Sequence, residues 1–201
     1  LWDDPGRLHA AVLGRGAHPR ARGGEISGLY VGLKGTRGAL YLKDLADRTR
    51  RGLRGRVEAG RSGGGRCYGY EVVQAGDERG GRRIDPVEAE IVRRIFRDHA
   101  AGVSPRRIAA ALNETGVPGP GGRAWGASTI HGNPKRGTGI LNNELYVGRL
   151  VWNRLRYVKD PSTGRRVSRP NPPEDWIVKE GPELRIIEEV LWDAVKARQA
   201  A

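Results

Sequence analysis

The sequence has very little of what several classes of protein need. Cysteine occurs once, at Cys67, and methionine does not occur at all. A single cysteine excludes a disulfide within the chain and any zinc site built from several thiolates. The four histidines, His9, His18, His99 and His131, lack the spacing of metal ligands. We therefore expect no bound metal.

Long apolar segments are missing as well. No stretch approaches the roughly 20 apolar residues that a membrane-spanning helix requires, and no secretory signal pattern is present. We expect a cytoplasmic protein without membrane contact. Because no methionine can serve as an initiator, the sequence is expected to be a fragment or a product with a non-standard start.

Positive charge is what the sequence has in excess. It contains 36 Lys and Arg against 23 Asp and Glu, a net charge of +13, and a pI near 10.6. A pI above about 9 is typical of nucleic-acid binding; a generally basic protein from an arginine-rich proteome is the alternative. Between Arg48 and Arg66, however, seven arginines accompany one acid, Glu58. Exposed charged faces usually mix signs, so this cluster favours phosphate contact.

The segment 39–59 is predicted to form a long helix, because apolar residues recur there at steps of three and four. Gly52 and Gly55 each cost about 1 kcal/mol relative to alanine, so the second half is expected to fray unless other contacts hold it. A glycine-rich connector follows at residues 60–65. The residues of the predicted face are Leu42, Leu45, Thr49, Leu53 and Val57.

Two further helices follow a hairpin predicted over residues 68–84. Asp85-Pro86 and Ser104-Pro105 each place a capping side chain before a proline at the first helical position. The apolar face of the first of these helices is predicted to begin at Val87. A third short helix is expected near Trp125, capped by Ser128 or Thr129.

Together these elements predict an α+β fold, with a long helix leading into a helix-turn-helix-like domain that carries a small antiparallel sheet. The alternative is an ordinary α+β domain in which the helices only pack together. Strand character is predicted for residues 146–157 and 176–178, and a polar loop for residues 159–173. A final helix is predicted over residues 188–201, with Val190 on its apolar face.

Several stretches resemble, in the family's order, the large serine site-specific recombinases of the resolvase/invertase type. Residues 29–36, 42–60 and 64–70 look like the end of the catalytic domain and its exit, and residues 83–96, 104–113 and 137–152 look like the recombinase domain. The resemblance implies three parts: an irregular, unassigned segment at 1–24, the end of the catalytic domain with its long helix at 25–62, and a recombinase DNA-binding domain at 63–201.

In that family a serine attacks a phosphodiester and forms a phosphoserine link during DNA strand exchange and integration, as in mobile elements, without a cofactor. The resemblance places this serine well before residue 25, and no serine of this chain matches its context. The sequence is therefore expected to hold no catalytic residue. The family's zinc ribbon with paired cysteines is also missing. The serines considered are Ser27, Ser62, Ser104, Ser128, Ser162 and Ser168.

The resemblance also implies the partners, which are double-stranded DNA of attachment-site type and a second copy of the chain, with tetramers in the intact family. Leu42, Leu45 and Leu53 would form the dimer face of the long helix. Arginines at its end would enter the minor groove, where a narrow groove strengthens the negative potential. The candidate DNA-binding residues are Arg50, Arg51, Arg54, Arg56, Arg61 and Arg66; Arg106 and Arg107 on phosphates; and Ser128, Thr129, His131, Lys135, Arg136 and Thr138 in the major groove.

Other functions remain open at this point. The chain could be an active phosphodiester-transfer enzyme with an unrecognised serine, or a non-enzymatic sequence-specific DNA-binding regulator. An RNA binder is disfavoured because exposed aromatic stacking surfaces are not expected. His131 alone could equally be an ordinary surface residue. Tyr68, Tyr70, Tyr146 and Trp152 are expected in the core.

Overall fold

A computed structural model describes residues 24–74, 76–77 and 79–200, with the backbone alone for residues 24–39. The chain divides into two units, residues 1–46 and 47–201. The described part of the first unit is the beginning of helix α1 (Gly24–Glu58), and the second unit holds the remainder of α1 and every other element. Nearly all of the irregular segment predicted at 1–24 lies outside the described residues.

Helix α1 begins well before the predicted start at residue 39, continues through Gly52 and Gly55, and ends within one residue of the predicted position. Contacts that can hold this second half are present: Val57 is fully buried, and its side chain and that of Trp152 both lie against Gly63. Two hydrogen bonds close the C-terminus of the helix, from Gly60 N to Val57 O (2.9 Å) and from Arg61 N to Arg56 O (2.8 Å). Gly60, with φ +74°, supplies the left-handed residue that this ending requires.

The predicted hairpin and the two proline-started helices are confirmed. Strands β1 (Tyr70–Val72) and β2 (Arg82–Ile84) pair antiparallel. Helix α2 (Pro86–Ala100) starts where Asp85 Oδ1 accepts hydrogen bonds from the amides of Val87 (2.9 Å) and Glu88 (3.1 Å). Helix α3 (Pro105–Glu114) starts at Ser104, whose hydroxyl accepts a longer bond of 3.4 Å.

The core of the second unit is organised around an aromatic stack. Phe96 of α2 lies between Trp192 (ring centroids 5.8 Å apart, stacked) and Tyr146 (6.0 Å, edge-on). Trp192 belongs to helix α5 (Glu189–Ala200). Tyr68, Tyr70 and Tyr146 are buried, as predicted. The faces assigned to α2 and α5 shift slightly, because Val87 and Val190 are 76% and 83% exposed.

The remaining strands form two small ribbons. Strand β3 (Arg149–Trp152) pairs antiparallel with β6 (Ile177–Glu180), and β4 (Leu155–Lys159) pairs antiparallel with β5 (Arg166–Pro170). The α+β class is thus confirmed. Two local predictions are wrong: the polar loop expected over 159–173 contains β5, and Tyr146 lies in a 3₁₀ turn, Glu144–Val147, instead of a strand.

Two structural absences hold for the described part of the chain. None of its helices is long and apolar enough to cross a membrane. Nor does it bring together three or more His, Cys, Asp or Glu side chains in a way that could hold a metal ion.

The two helix starts differ in strength and so make a matched test. Asp85→Ala removes an acceptor of two short amide bonds and should lower the free energy of unfolding by about 1–2 kcal/mol. Ser104→Ala removes one 3.4 Å bond and should cost less. Urea unfolding followed by circular dichroism gives both values. Equal losses would show that Asp85 does not cap α2 as described.

Candidate nucleic-acid interface

A cleft of about 800 Å³ in the second unit collects residues that are far apart in the sequence. Its walls are the glycine-rich connector, the start of helix α4 (Ala127–His131), the loop after α4, and the β3–β4 segment. Five of the sequence-predicted residues line this one cleft. They are Arg66, Ser128, Thr129, Arg136 and Thr138.

The loop 132–139 is closed by its own backbone. Asn133 N donates to Thr138 O (3.0 Å), and Thr138 N donates to Asn133 O (3.2 Å). Gly132 and Gly139, with φ +58° and +88°, meet where the loop closes, and a Cβ on Gly132 would collide with the carbonyl of Thr138. We call residues 132–139 the closed loop. Its glycines allow a backbone approach that no side chain would permit.

The tip of the closed loop carries the positive charge. Pro134–Arg136 form a 3₁₀ turn, and Asn133 Oδ1 accepts a hydrogen bond from Arg136 N (3.1 Å). Lys135 and Arg136 are both exposed. Within the described residues neither forms an ion pair. A structured backbone therefore presents two cationic side chains to solvent.

Asn142 holds the closed loop in place from inside. Its amide is buried (3% exposed), and Nδ2 donates to the carbonyls of His131 (2.6 Å) and Thr138 (2.8 Å). Its Oδ1 accepts from Lys196 Nζ of α5 (2.7 Å), which also donates to Leu141 O (2.7 Å). Burial lowers the pKa of Lys196 to about 8. This role of Asn142 was not predicted from the sequence, although an asparagine directly after two apolar residues, Ile140 and Leu141, indicates a buried amide.

Helix α4 is fixed by Trp125, as the sequence predicted. The indole is buried, with Nε1 donating to Val117 O (3.1 Å), and Asn113 holds the Trp125 backbone through both amide atoms (2.8 and 2.9 Å). The cap differs from the prediction: it is Gly126, and no side chain caps the helix. Ile130 points into the core. Ser128 and His131 are exposed, and Thr129 is half-buried.

The arginines of the α1 end and the connector are exposed without exception. Arg54 forms an ion pair with Glu58 (2.8 Å), one turn along the helix. Arg61 Nη2 lies 3.4 Å from Asp77 O. Arg106 and Arg107 are exposed on α3. The other predicted arginines of this group are Arg50, Arg51, Arg56 and Arg66.

Two arginines that line the cleft stabilise the fold through ion pairs. Glu144 pairs with Arg149 (3.3 Å) and with Arg154, and Arg149 also pairs with Glu189 (3.0 Å). The Arg154 guanidinium lies over the Trp176 ring, 4.5 Å from its centroid. These side chains fix the β3–β4 wall and are engaged already. The sequence analysis did not predict this ion cluster, because its members approach one another only in the fold.

Cys67 also lines the cleft without being set up for nucleophilic chemistry. Asn143 Nδ2 lies 2.8 Å from its Sγ. Burial raises the pKa of the Cys67 thiol, despite the opposing effect of Arg82. The thiolate needed for attack is thus disfavoured near neutral pH.

The second unit is therefore a small α+β domain that presents a cationic closed loop beside a cleft. Comparison with protein-family models gives its class: the model described as Recombinase matches residues 86–201, which is more than half of the chain. The chain belongs to the recombinase family.

One solved structure that is similar to the chain is the crystal structure of an LSR–DNA complex. The two share 20% sequence identity, with a TM-score of 0.46, over 76% of this chain and 39% of the other. The chain thus spans well under half the length of that protein. No curated protein matches the chain.

The closed loop can be tested with Gly132→Ala and Gly121→Ala, at two glycines that both have positive φ. Gly121 (φ +70°, ψ +25°) is left-handed helical, where alanine costs about 1–2 kcal/mol, whereas Gly132 (φ +58°, ψ −140°) adopts a backbone conformation that is essentially confined to glycine. At Gly121 nothing lies within 4 Å of the added Cβ, whereas at Gly132 it meets the Thr138 carbonyl. We expect Gly132→Ala to lose at least about 1 kcal/mol more in urea unfolding. Equal losses would contradict the close backbone contact.

Proposed function

We propose that this chain is the DNA-binding portion of a serine site-specific recombinase and binds duplex DNA of attachment-site type. The observation that carries the proposal is the closed loop, which holds Lys135 and Arg136 exposed and free of ion pairs in a domain of the recombinase family. The described chain offers them no carboxylate partner, and phosphate or a guanine edge would supply one.

The major-groove contact is assigned to α4 and the closed loop. Ser128, Thr129 and Thr138 line the cleft together with Arg136, while His131 and Lys135 are exposed at neighbouring positions. Arginine and lysine donate to the O6 and N7 atoms of guanine, and serine and threonine hydroxyls can donate to or accept from a base edge. Arg106 and Arg107, exposed on α3, would bind phosphates and orient the domain. In this reading α3 and α4 form the helix-turn-helix-like pair.

The minor-groove contact is assigned to the end of α1 and the connector. All six arginines assigned there are exposed. Gly52 and Gly55 have no atom within 4 Å of an added Cβ, so the helix backbone is open to a close approach at these two positions. Arginine gains most from a narrow minor groove, where the negative potential is enhanced. The arginines are Arg50, Arg51, Arg54, Arg56, Arg61 and Arg66.

Dimerisation is proposed through the apolar residues of α1. Leu42 and Leu45 are 65% and 49% exposed, and Leu53 is half-buried. Exposed leucines at helical spacing on a long helix suit a helix–helix contact between two copies. We also propose that the chain is divided into three parts, with boundaries at residues 24/25 and 62/63.

We assign no nucleophile to the described residues. Ser62 is buried and its Oγ accepts from Gly64 N (3.2 Å). Ser104 caps α3, and Ser162 donates to Asp160 (2.7 Å). Ser128 and Ser168 have no general base among their described hydrogen-bond partners, and the side chain of Ser27 lies outside the described residues. Strand exchange would therefore need a serine from outside this set, and no cofactor is assigned.

Salt dependence tests the proposal directly. The chain should bind a fluorescein-labelled 30-base-pair duplex of random sequence, and four to six neutralised phosphates predict a slope of log K against log salt of roughly −4 to −5. Fluorescence anisotropy across a salt series measures it. A binding constant that does not change with salt, or no binding at low salt, would contradict the proposed function.

Two arginines should differ in what they contribute. Arg54→Ala should weaken binding to random DNA and to a site selected by the chain from a random library by similar factors, because helix-end arginines carry little base information. Arg136→Ala should cost about 1–3 kcal/mol on the selected site and much less on random DNA.

Thermal melting is the control for this pair, because both side chains are exposed and Arg54 loses only an exposed i,i+4 ion pair. If Arg136→Ala weakened both DNAs equally, the closed loop would be a phosphate clamp and base recognition would belong to another surface.

A further inference from the structure

The ribbon β4–β5 has an unusual charge distribution. Residues 155–170, which we call the basic hairpin, contain five basic side chains and one acid, Asp160. All five basic residues are exposed. The sequence analysis treated most of this segment as a polar loop and assigned it no role. The basic residues are Arg156, Lys159, Arg165, Arg166 and Arg169.

The register of the hairpin places like charges directly opposite each other. Arg156 faces Arg169 across the two strands, and Lys159 faces Arg166. Because side chains alternate along a strand, the first pair lies on one face of the ribbon and the second on the other. Like charges at directly opposed positions destabilise an antiparallel pair. Each face of the basic hairpin therefore carries its own unfavourable pair.

No carboxylate in the described chain relieves this repulsion, since none forms an ion pair with these four residues. The one acid of the hairpin, Asp160, accepts from Ser162 N (2.9 Å) and Oγ (2.7 Å). The Arg166 guanidinium lies over the Tyr157 ring at 4.4 Å, which holds it without neutralising it. A bound polyanion would neutralise both pairs.

The base of the hairpin is fixed to the cleft. Asn171 is buried, and its Nδ2 donates to Asn153 O (2.7 Å) while its backbone amide donates to Arg154 O (2.8 Å). The Arg154 side chain packs against Gly137 of the closed loop. Tyr157 lines the same cleft as Arg136. One duplex at the closed loop would thus lie beside the basic hairpin.

We propose that the basic hairpin is a phosphate-binding arm, which contacts the backbone of the same DNA duplex that the closed loop reads. The proposal rests on the proposed function. Exposed arginine and lysine on a ribbon contact phosphates without reading bases, so the arm contributes affinity that is independent of sequence. Because each face carries two cations, the ribbon can present a pair to phosphate whichever face meets the DNA.

Two charge-removing variants of the full chain test the arm, Arg156→Gln/Arg169→Gln and Lys159→Gln/Arg166→Gln. The pair that faces the DNA should lower affinity for a random 30-base-pair duplex about tenfold or more near 0.15 M salt, and its salt slope should become less steep by roughly 2. The loss should be the same on a selected site. Melting temperature should hold or rise for Arg156→Gln/Arg169→Gln, because a like-charge pair is removed. In Lys159→Gln/Arg166→Gln the same gain is offset by the lost contact between Arg166 and the Tyr157 ring.

A matched control removes two charges elsewhere. Arg83→Gln/Arg185→Gln changes an arginine paired with Glu71 and one that lines a separate groove beside α5, and it should leave the slope unchanged. Arg156→Lys/Arg169→Lys should retain most of the affinity, because phosphate contact needs charge more than shape. If the glutamine variants have a lowered melting temperature, chemical acetylation of Lys159 in the unmodified chain tests the arm instead. Bound DNA should then protect Lys159 from acetylation.

The outcomes separate the two proposals. If the chain binds DNA with a steep slope but neither pair changes it, and DNA does not protect Lys159, the arm is wrong and the proposed function stands. If the hairpin variants lose binding to an RNA stem-loop but not to duplex DNA, the arm is overturned in favour of an RNA contact. If the unmodified chain binds no DNA, both proposals fall.

Discussion

The buried amide of Asn142 joins three parts of the domain that otherwise share little. Its two donated bonds reach the end of α4 and the far side of the closed loop, and its oxygen reaches Lys196 of α5. A buried amide with a missing partner costs about 1–3 kcal/mol, so all three parts are held to one arrangement. The position of the exposed cations at the loop tip depends on this interior group.

The aromatic stack around Phe96 holds the elements of the core together, as Asn142 holds the closed loop in place. It packs α2, α5 and the 144–147 turn together, and that turn carries Glu144, whose carboxylate fixes Arg149 and Arg154. These two arginines hold the wall from which the basic hairpin begins. Packing in the core and ion pairing at the cleft are thus continuous, and the exposed cations stand on a framework whose own charges are paired.

The parts of the fold that the sequence predicted well are those with local causes. Asp85-Pro86 and Ser104-Pro105 start helices by chemistry contained within four residues, and Trp125 marks α4 because a large apolar side chain in a glycine-rich stretch needs a core. The end of α1 was predicted, but the packing of Val57 and Trp152 against Gly63 was not, because these residues come together only in the fold. The closure of loop 132–139 and the pairing of β4 with β5 also depend on contacts that local helix and strand propensities do not predict. The predicted cations are exposed, whereas only the fold brings Arg66 and Arg136 into one cleft with the predicted hydroxyl residues.

The closed loop has one more consequence, which concerns how such a domain could change its target. The contacts that shape the loop are made by backbone atoms, by Gly132 and Gly139 where it closes, by the Asn133 side chain at the tip, and by Asn142 beneath it. The side chains of Lys135 and Arg136 take no part in them. The two exposed residues at the tip can therefore be exchanged without loss of the contacts that hold the loop. If the loop reads bases as proposed, a change of base preference would require new side chains at these two positions and no change of fold.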